Sequence, residues 1–354
     1  MDHKESFHGM FGIEDHKVSF RGTGKEYFGI WIVNTLLKIV TFSVYTAWAK
    51  VRKRRYFAGK IFIDDEPFEY LASPMALFRG WLIAAAAIVI YTGAKHFSQI
   101  LAIILALVIM AFFPWVVVKS RIFNSRNQSY RNIRFGFAPK YAEGYRVMLG
   151  WPLLIPFTLG LLIPYVLYRQ KKFLVENSSY GTTPFRFNAT PREFYRIYAT
   201  LAFKWVPLTL VFIVFAIGLS MVIAMSISIP RQMVLFSLGV CFFLPFFLMF
   251  VCFKTAIANL VWNSTELGGL WFESSMGMLD MCWLYFSGGI AVIFSMGLLF
   301  PWASVRVMRY RCERLLVHSQ GEIDQFVADA APASVGAVGE EIGDLFGLDV
   351  DFGF

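Results

Sequence analysis

Long uninterrupted apolar runs, separated by shorter basic and aromatic stretches, dominate the hydrophobic pattern of this 354-residue chain. The clearest runs lie at residues 81–91, 100–118, 205–229 and 234–251. A helix needs about 20 apolar residues to cross a bilayer, and only helices or closed barrels satisfy their backbone in lipid. The runs lack the in-out alternation of membrane barrel strands. The pattern therefore predicts an all-α polytopic membrane protein.

An aromatic and basic signature recurs along the chain and predicts an internal repeat. In its first copy, Trp48 begins the stretch WAKVRKRRY, and an F-x-[FY] pair follows twenty residues later. Copies start at Trp48, Trp115, Tyr165 and Trp302, with a weaker copy around Lys254. The F-x-[FY] pairs are typical of a short extended element that leads into a helix. The spacing between copies predicts seven hydrophobic helical segments in the order 1+2, 1+2, 1.

This repeat divides the chain into five parts. They are a polar N-terminal segment (1–19), repeat 1 (20–136), repeat 2 (137–271), a half repeat (272–318) and an acidic tail (319–354). From residue 321 to the end there are eight acidic residues and no Lys or Arg, so this tail carries −8 and the rest of the chain +17, which gives the net charge of +9. We expect the tail to be disordered and to be able to bind a soluble partner.

The single segments of the repeat, at 27–48, 145–165 and 280–302, allow two topologies. If all seven segments span, 18 Lys and Arg lie on one side and 13 on the other. If the single segments re-enter on the side from which they came, the counts become 29 and 2. The positive-inside rule favours re-entry, with the linkers and the C-terminus cytoplasmic, although three re-entrant segments in one chain are unusual. Both topologies stay open at this stage.

The stretch SFRGTGKEYFGIWIVNTLLKIVTFSVYTAWAKVRKRRYF, which begins at Ser19, resembles the opening of the bacterial YjgN-like inner-membrane family. The recurring W-A-x-V-R and F-x-[FY] elements and the acidic tail agree with this resemblance along essentially the whole chain. The resemblance implies a multi-pass protein of the bacterial inner membrane. It implies no activity, because the family is one of unknown function.

Recurring cations form the first group of candidate site residues. They are Arg52, Arg54, Lys119, Arg121, Arg169, Lys171 and Arg306, with Lys254 interpreted as a further equivalent position. Cations at this place are most often anchors to anionic lipid headgroups. The sharper hypothesis is that the repeat brings them together as a site for a phosphate-bearing lipid or an anionic solute, because arginine binds phosphate in a bidentate fork.

Polar residues in or beside the apolar segments form the second group. Asn34, Lys38 and Asp280 are candidates for an intramembrane polar site, since a cation inside an apolar segment is energetically costly. The alternatives are that Lys38 snorkels or pairs with an acid, and that Asp280 is a helix cap. Glu26, Glu143 and Glu193 share one position in the repeat, and acids there favour the first turn of a helix, where they complement its dipole. A gating carboxylate is the functional alternative.

The sequence contains no catalytic motif, no metal-ligand spacing and no cofactor signature, so we expect no enzyme, no metal and no cofactor. The basic body predicts contact with anionic lipid, and we expect no nucleic-acid binding. The leading hypothesis is a transporter or channel-like protein for a small anionic or amphipathic solute or a lipid. The alternative is a membrane scaffold or lipid-organising protein whose tail recruits a partner. Homo-oligomerisation is compatible with both.

Overall fold

The computed structural model describes residues 13–226 and 231–320. Within these residues, short antiparallel strands form a closed ring in the order β1-β10-β9-β8-β7-β6-β5-β4-β3-β2. They are β1 (Ile13–Phe20), β2 (Ile61–Ile63), β3 (Glu66–Tyr70), β4 (Gln128–Tyr130), β5 (Ile133–Phe137), β6 (Ser178–Tyr180), β7 (Thr183–Phe187), β8 (Thr265–Leu267), β9 (Leu270–Ser274) and β10 (Leu315–Gln320). A membrane barrel needs strands of about 9 to 11 residues, so this ring is too short to span a bilayer.

Helices lie between the strand pairs and pack in chain order, and α11 packs back on α1 to close a second ring. They are α1 (Gly24–Val40), α2 (Thr46–Ala58), α3 (Pro74–Phe97), α4 (Gln99–Arg126), α5 (Tyr141–Tyr145), α6 (Trp151–Leu153), α7 (Ile163–Glu176), α8 (Pro191–Ser226), α9 (Arg231–Asn263), α10 (Met278–Phe294) and α11 (Phe300–Glu313). We group them as pair 1 (α1, α2), pair 2 (α3, α4), pair 3 (α5 to α7), pair 4 (α8, α9) and pair 5 (α10, α11).

Tight two-residue turns close the strand hairpins. Asp64 and Asp65 join β2 to β3, and Arg131 and Asn132 join β4 to β5; all of these residues have positive φ. Two consecutive positive φ values give a turn whose twist matches that of the flanking strands, and among residues other than glycine Asp and Asn tolerate them best. The last hairpin has no turn at all, because β10 pairs with β1 and thereby joins the end of the described chain to its beginning.

A single backbone hydrogen bond recurs wherever one hairpin meets the next. The residue after each second strand donates its N–H to the carbonyl of the residue before the next first strand. The pairs are Arg21 to Lys60 (2.9 Å), Leu71 to Asn127 (2.8 Å), Ala138 to Asn177 (2.8 Å), Asn188 to Ser264 (2.8 Å) and Ser275 to Arg314 (3.0 Å). Each helical pair therefore leaves and rejoins the ring through the same local geometry.

The prediction of an all-α fold with seven helical segments is wrong. Each expected single segment contains two helical arms joined by a turn, and the linkers build the strand ring. Strands of three to five residues offer too few alternating positions to be detected, and each pairs partly with a strand of another linker. The F-x-[FY] pairs lie in β3, β5 and β7, which confirms the extended element predicted there.

The part boundaries inferred from the sequence fall inside strands. Position 136/137 divides β5, 271/272 divides β9, and the limits of the terminal parts divide β1 and β10. The ring therefore draws on all the parts placed between residues 20 and 318. Most of the tail proposed at 319–354 lies outside the described residues.

Helices long and apolar enough to cross a membrane occur in pairs 2 and 4. Among the described residues they are Pro74–Phe97, Gln99–Arg126, Pro191–Gly218 and Phe243–Asn263, judged by length and composition. Pairs 1, 3 and 5 are shorter. At 1.5 Å per residue, α1 is about 25 Å long, whereas α3 reaches about 36 Å and α8 about 54 Å.

Candidate functional site

Pairs 1, 3 and 5 share one design. The turn of each pair begins with a Ser or Thr residue, which is Thr41, Thr158 or Ser295. It lies 21 residues after the preceding strand and 20 residues before the next one in every pair. Because both flanking strands belong to one ring, each of these pairs leaves the ring and turns back to it. We call residues 41–45, 158–162 and 295–299 the tips of pairs 1, 3 and 5.

A large apolar residue with a left-handed backbone stands at the outermost point of each tip. These residues are Phe42, Leu159 and Met296, with φ between 48° and 52° and exposed fractions of 92%, 94% and 95%. The next residue is also left-handed in each tip, and it is Gly160 or Gly297 in pairs 3 and 5. Such full exposure of an apolar side chain is costly in water and favourable in lipid.

The tip hydroxyl satisfies the backbone on both sides of the reversal. Thr41 Oγ1 donates to the carbonyl oxygen of Leu37 (2.6 Å) and accepts from the N–H of Tyr45 (3.0 Å). The equivalent bonds join Thr158 to Ile155 (3.0 Å) and Leu162 (3.3 Å), and Ser295 to Val292 (3.2 Å) and Leu299 (3.0 Å). Irregular backbone in an apolar medium needs such internal partners. The tips therefore suit an apolar environment in both side chain and backbone.

The recurring cations lie in the second arm of each pair, between tip and ring. Arg52, Lys119, Arg169 and Arg306 each precede the next strand by nine residues. In pair 4 that place belongs to Ala256, so the equivalence predicted for Lys254 is wrong by two residues. The reason lies in the register of the strand pairs. The pairing of β8 with β9 makes Phe272, not Leu270, the residue equivalent to Phe68 in the β2–β3 hairpin.

These cations lie on four different helices around the ring. Two of the charged groups lie over aromatic faces one helical turn earlier: Lys119 Nζ is 5.8 Å from the ring centre of Trp115, and the Arg306 guanidinium is 5.3 Å from that of Trp302. Arg306 also donates to Ser287 Oγ at 2.8 Å. This arrangement is a belt of basic and aromatic residues, typical of the level of lipid headgroups.

A second recurring cation follows two residues after the first. In pairs 1 and 2 this second cation, Arg54 or Arg121, is more buried than the first. Arg54 donates to the Tyr70 hydroxyl at 2.8 Å and to the Asn124 side chain, and so links α2 to α4. Arg121 is 4% exposed within α4, and Lys171 is half-buried in α7. Arg54 thus has a structural role in holding adjacent pairs together.

The acids Glu26, Glu143 and Glu193 lie in first helical turns, as one alternative predicted. Glu26 accepts from the N–H of Thr23 in a capping box and lies 3.4 Å from Lys60 Nζ. Burial acts to raise the pKa of Glu26, but the bonds from Thr23 and the charge of Lys60 outweigh it and lower that pKa. Glu193 accepts from its own cap residue at 2.7 Å. These contacts favour helix capping.

Asp280 belongs with these acids. Like the three glutamates it lies six residues after the end of a strand, because β9 ends at Ser274. Its carboxylate accepts a 2.7 Å hydrogen bond from the Tyr310 hydroxyl, which in turn accepts from the N–H of Gly277. The structure thus places Asp280 at the ring end of pair 5, away from the tips and away from Asn34 and Lys38.

Asn34 and Lys38 lie one helical turn apart near the tip of pair 1. Asn34 is 5% exposed, and its Oδ1 accepts no hydrogen bond from the described residues. Lys38 is half-buried and precedes the tip hydroxyl Thr41 by three residues. They remain together as a candidate polar site within an apolar pair.

The interior of the strand ring is filled with apolar and aromatic side chains. One buried cluster and its packed neighbours draw on every strand of the closed ring, so they occupy its centre. Ring centres of Phe68 and Tyr130 lie 4.8 Å apart, and those of Phe135 and Tyr180 lie 5.1 Å apart. Burial raises the pKa of Tyr130 to about 12 and that of Tyr180 further still. A solute path along the ring axis is closed by these side chains.

Two buried histidines, His16 and His318, lie where β1 pairs with β10, and we call this pairing the seam. His318 lies with Nδ1 2.6 Å from Asp15 Oδ1 and Nε2 3.2 Å from Glu273 Oε2. His16 binds Ser319 Oγ at 3.0 Å and the carboxylate of Asp64. Within the described residues no group of three or more His, Cys, Asp or Glu side chains could hold a metal ion. The contacts of the two histidines join β1, β9, β10 and the β2–β3 turn, which favours a structural closure.

Sequence reasoning missed the tips and the seam for different reasons. The tips carry a detectable signal, because a Ser or Thr recurs at one fixed spacing within the three single segments. The seam carries none, because His16 and His318 are separated by nearly the whole chain.

Comparison with known proteins gives a family and a location for relatives. The family described as "Bacterial protein of unknown function (DUF898)" matches residues 15–345. The chain is 28% identical over 150 residues to "Inner membrane protein YjgN" of Salmonella typhimurium, which covers 42% of this chain and 38% of that protein. It is 25% identical over 170 residues to the protein of the same name from Escherichia coli K12, covering 47% and 41%. The matched region thus spans about two fifths of the length of these relatives. No solved structure matches.

Proposed function

The chain belongs to the bacterial DUF898 family, a family of inner-membrane relatives with no assigned activity, and we propose that it handles phospholipids within the inner membrane. In this proposal the protein crosses the membrane several times through pairs 2 and 4. Pairs 1, 3 and 5 enter one leaflet and return. The chain is built from five variants of one unit, each a helical pair with a strand hairpin. The resemblance to the YjgN-like family noted in the sequence supports the location.

The observation that carries the proposal is the set of fully exposed apolar tips on pairs of equal length. If the strand ring lies at the cytoplasmic surface, a helix as long as α1, about 25 Å, ends within a hydrocarbon core of about 30 Å. Pairs 2 and 4 continue across. The far leaflet would then have gaps between the crossing pairs, where lipid tails meet the tips directly. A short apolar element deforms the bilayer around it.

Charge supports the cytoplasmic placement of the ring. Re-entry leaves 29 Lys and Arg on the ring side and 2 on the other. The basic belt lies between tips and ring, where each cation near an anionic surface contributes roughly 1 kcal/mol. A ligand whose headgroup contacts the basic belt and whose tails contact the tips must be amphipathic.

The closed ring interior favours lipids over small polar solutes. A polar solute needs a wetted path, and the aromatic cluster inside the ring offers none along that axis. A groove of about 410 Å³ between α3 and α4 is lined by Tyr91, Ala106, Ile109, Met110 and Phe113. Its apolar wall suits an acyl chain.

Transbilayer movement of lipid tests the proposal. The full chain is reconstituted in vesicles of phosphatidylethanolamine and phosphatidylglycerol that contain a trace of fluorescent phosphatidylglycerol. An impermeant quencher then reports how fast the inner-leaflet label reaches the outside. We expect faster exchange than in protein-free vesicles. Exchange at the protein-free rate contradicts the proposal and favours the alternative, a membrane scaffold whose acidic tail binds a soluble partner.

A further inference from the structure

The tip of pair 1 differs from the other tips at equivalent polar positions. Counting from the tip hydroxyl, Lys38 stands where pairs 3 and 5 have Ile155 and Val292. Ser43 stands where they have Gly160 and Gly297. Asn34, one turn before Lys38, likewise replaces a tryptophan and a glycine. Three polar replacements therefore fall within one tip, while the backbone of the turn stays the same.

Each replacement has a cost to the fold. Ser43 has a φ of 70°, a conformation that glycine adopts without strain. A lysine in an apolar helix is unfavourable unless a partner or water reaches it. Asn34 is buried with Oδ1 left open among the described residues. A buried acceptor without a partner beside a lysine in an apolar helix points to a ligand that is not part of the chain.

The acids that were candidates to neutralise Lys38 are engaged elsewhere. Glu26 binds Thr23 and Lys60, and it precedes Lys38 by 12 residues, or about 18 Å along a helix. Asp280 accepts from Tyr310 at the ring end of pair 5. Lys38 itself makes no ion pair with any described residue. Its ammonium group therefore remains available near the end of an apolar pair.

We propose that the tip of pair 1 binds the phosphate of a phospholipid, with Lys38 as the principal contact and Ser43 as a second donor. This inference rests on the proposed lipid-handling function and adds its binding site. An ammonium and a hydroxyl donate charge-assisted hydrogen bonds to phosphate oxygens. Asn34 lies one turn earlier on the same helical face, where its open carbonyl oxygen can accept from the ammonium and orient it. A phosphate held at this depth has left the headgroup layer.

The test compares variants of the full chain in the vesicle assay above. Lys38→Ile installs the side chain found in pair 3, and Lys38→Arg keeps the charge. The matched control is Lys95→Ile, which removes an exposed cation from the end of α3. We expect Lys38→Ile to slow lipid exchange at least about tenfold, as loss of a charge-assisted contact implies. Lys38→Arg, which keeps the charge, should recover part of the rate lost in Lys38→Ile, and Lys95→Ile should stay near the wild-type rate.

A photoactivatable phosphatidylglycerol provides a readout that does not depend on lipid movement. Cross-linking followed by peptide mapping should place the lipid on residues 31–45 in the wild type and lose that product in Lys38→Ile. If the wild type fails to exchange lipid, the proposed function is wrong while the cross-link still tests the site. If exchange occurs and Lys38→Ile is unchanged in both readouts, the site is wrong and the function stands.

Free phosphate must be distinguished from lipid phosphate. Release of trapped inorganic phosphate is measured in the same vesicles, and we expect the protein-free rate for every variant. Phosphate release that depends on Lys38, without lipid exchange, would overturn the lipid assignment.

Discussion

The hydroxyl of Tyr180 donates a 2.9 Å hydrogen bond to the main-chain carbonyl oxygen of Tyr130. Tyr130 repeats the contact one hairpin earlier, with its hydroxyl 3.0 Å from the carbonyl oxygen of Ile63. These residues end β6, β4 and β2, which alternate around the ring and do not pair with each other. The phenols therefore connect strands across the ring interior, in addition to the backbone ladder and the aromatic packing.

Tyr130→Phe should reduce the alkaline sensitivity of the fold. The pKa of Tyr130 rises from 10.0 to about 12 on folding. A raised pKa means that the folded state holds its proton more tightly, so this stabilisation is complete below pH 10 and is lost as the pH rises through 12. A difference of this size corresponds to about 3 kcal/mol. Thermal melts from neutral to alkaline pH should therefore fall less steeply in the variant.

At neutral pH the free energy of unfolding of the same variant should be lower by about 1 kcal/mol, because the hydrogen bond to the carbonyl oxygen of Ile63 is lost. Tyr145→Phe serves as the control, since Tyr145 is 37% exposed in α5. Equal alkaline slopes in wild type and Tyr130→Phe would show that the ring phenols do not limit stability there.

His318→Gln should weaken the closure between β1 and β10. The histidine is bonded by Asp15 and Glu273, and charge-assisted bonds of this kind contribute about 1–3 kcal/mol in total. Trp271 stacks on His318 with ring centres 5.6 Å apart, so its fluorescence reports the seam. We expect a lower melting temperature and an altered Trp271 emission. His96→Gln, at the exposed end of α3, should change neither; a stable His318→Gln would assign closure to the backbone ladder alone.

The sequence predicts the helical content far better than the strand ring. The spacing from Trp48 to Phe68 places the extended element of β3 correctly, because it depends on a local pattern. The first strands, such as Gln128–Tyr130, are too short for any periodicity. Their strand conformation depends on pairing with strands of other hairpins, and a single sequence does not show that pairing.

The candidate site residues also divide into those placed by local sequence and those placed by strand pairing. Glu26 and Glu193 were placed correctly at helix starts, since capping depends on neighbours three residues away. For Asp280 the sequence left a helix cap and an intramembrane site open, because its module was aligned on Phe272, whereas β9 continues to Ser274. Register in a strand is decided by pairing across the ring, so a single sequence does not fix the distance from strand to helix start to within two residues.

Thr158→Val should destabilise the tip of pair 3. Valine keeps the shape of threonine but leaves the N–H of Leu162 without its acceptor, which costs about 1–3 kcal/mol in an apolar medium. Thr92→Val is the control, because Thr92 Oγ1 only donates to Ile88 within α3. Resistance to unfolding by denaturing detergent, read by circular dichroism, should drop for the first variant and stay constant for the second. Equal behaviour would mean that water reaches the tip.

Asp280→Asn should affect stability and leave lipid exchange unchanged. The carboxylate stabilises the ring end of pair 5 through Tyr310, and an amide keeps a weaker bond, so we expect a loss of about 1 kcal/mol. Tyr310→Phe removes the same contact from the other side and should give a similar loss. A large fall in exchange rate in Asp280→Asn, with an intact melting profile, would return this residue to the functional site.

Single cysteines in a background without the four native ones should show that the hairpin turns face one side of the membrane. Asn132 and Thr182 lie in exposed turns of the strand ring, and Phe97 lies at the far end of pair 2 with 90% of its side chain exposed. In sealed inside-out vesicles, an impermeant maleimide should label Asn132→Cys and Thr182→Cys and spare Phe97→Cys. Phe42→Cys, at the tip of pair 1, should resist the reagent from both sides because it lies in lipid. Labelling of Asn132→Cys and Thr182→Cys from opposite sides would require the pair between them to cross the membrane, and would overturn the re-entrant arrangement.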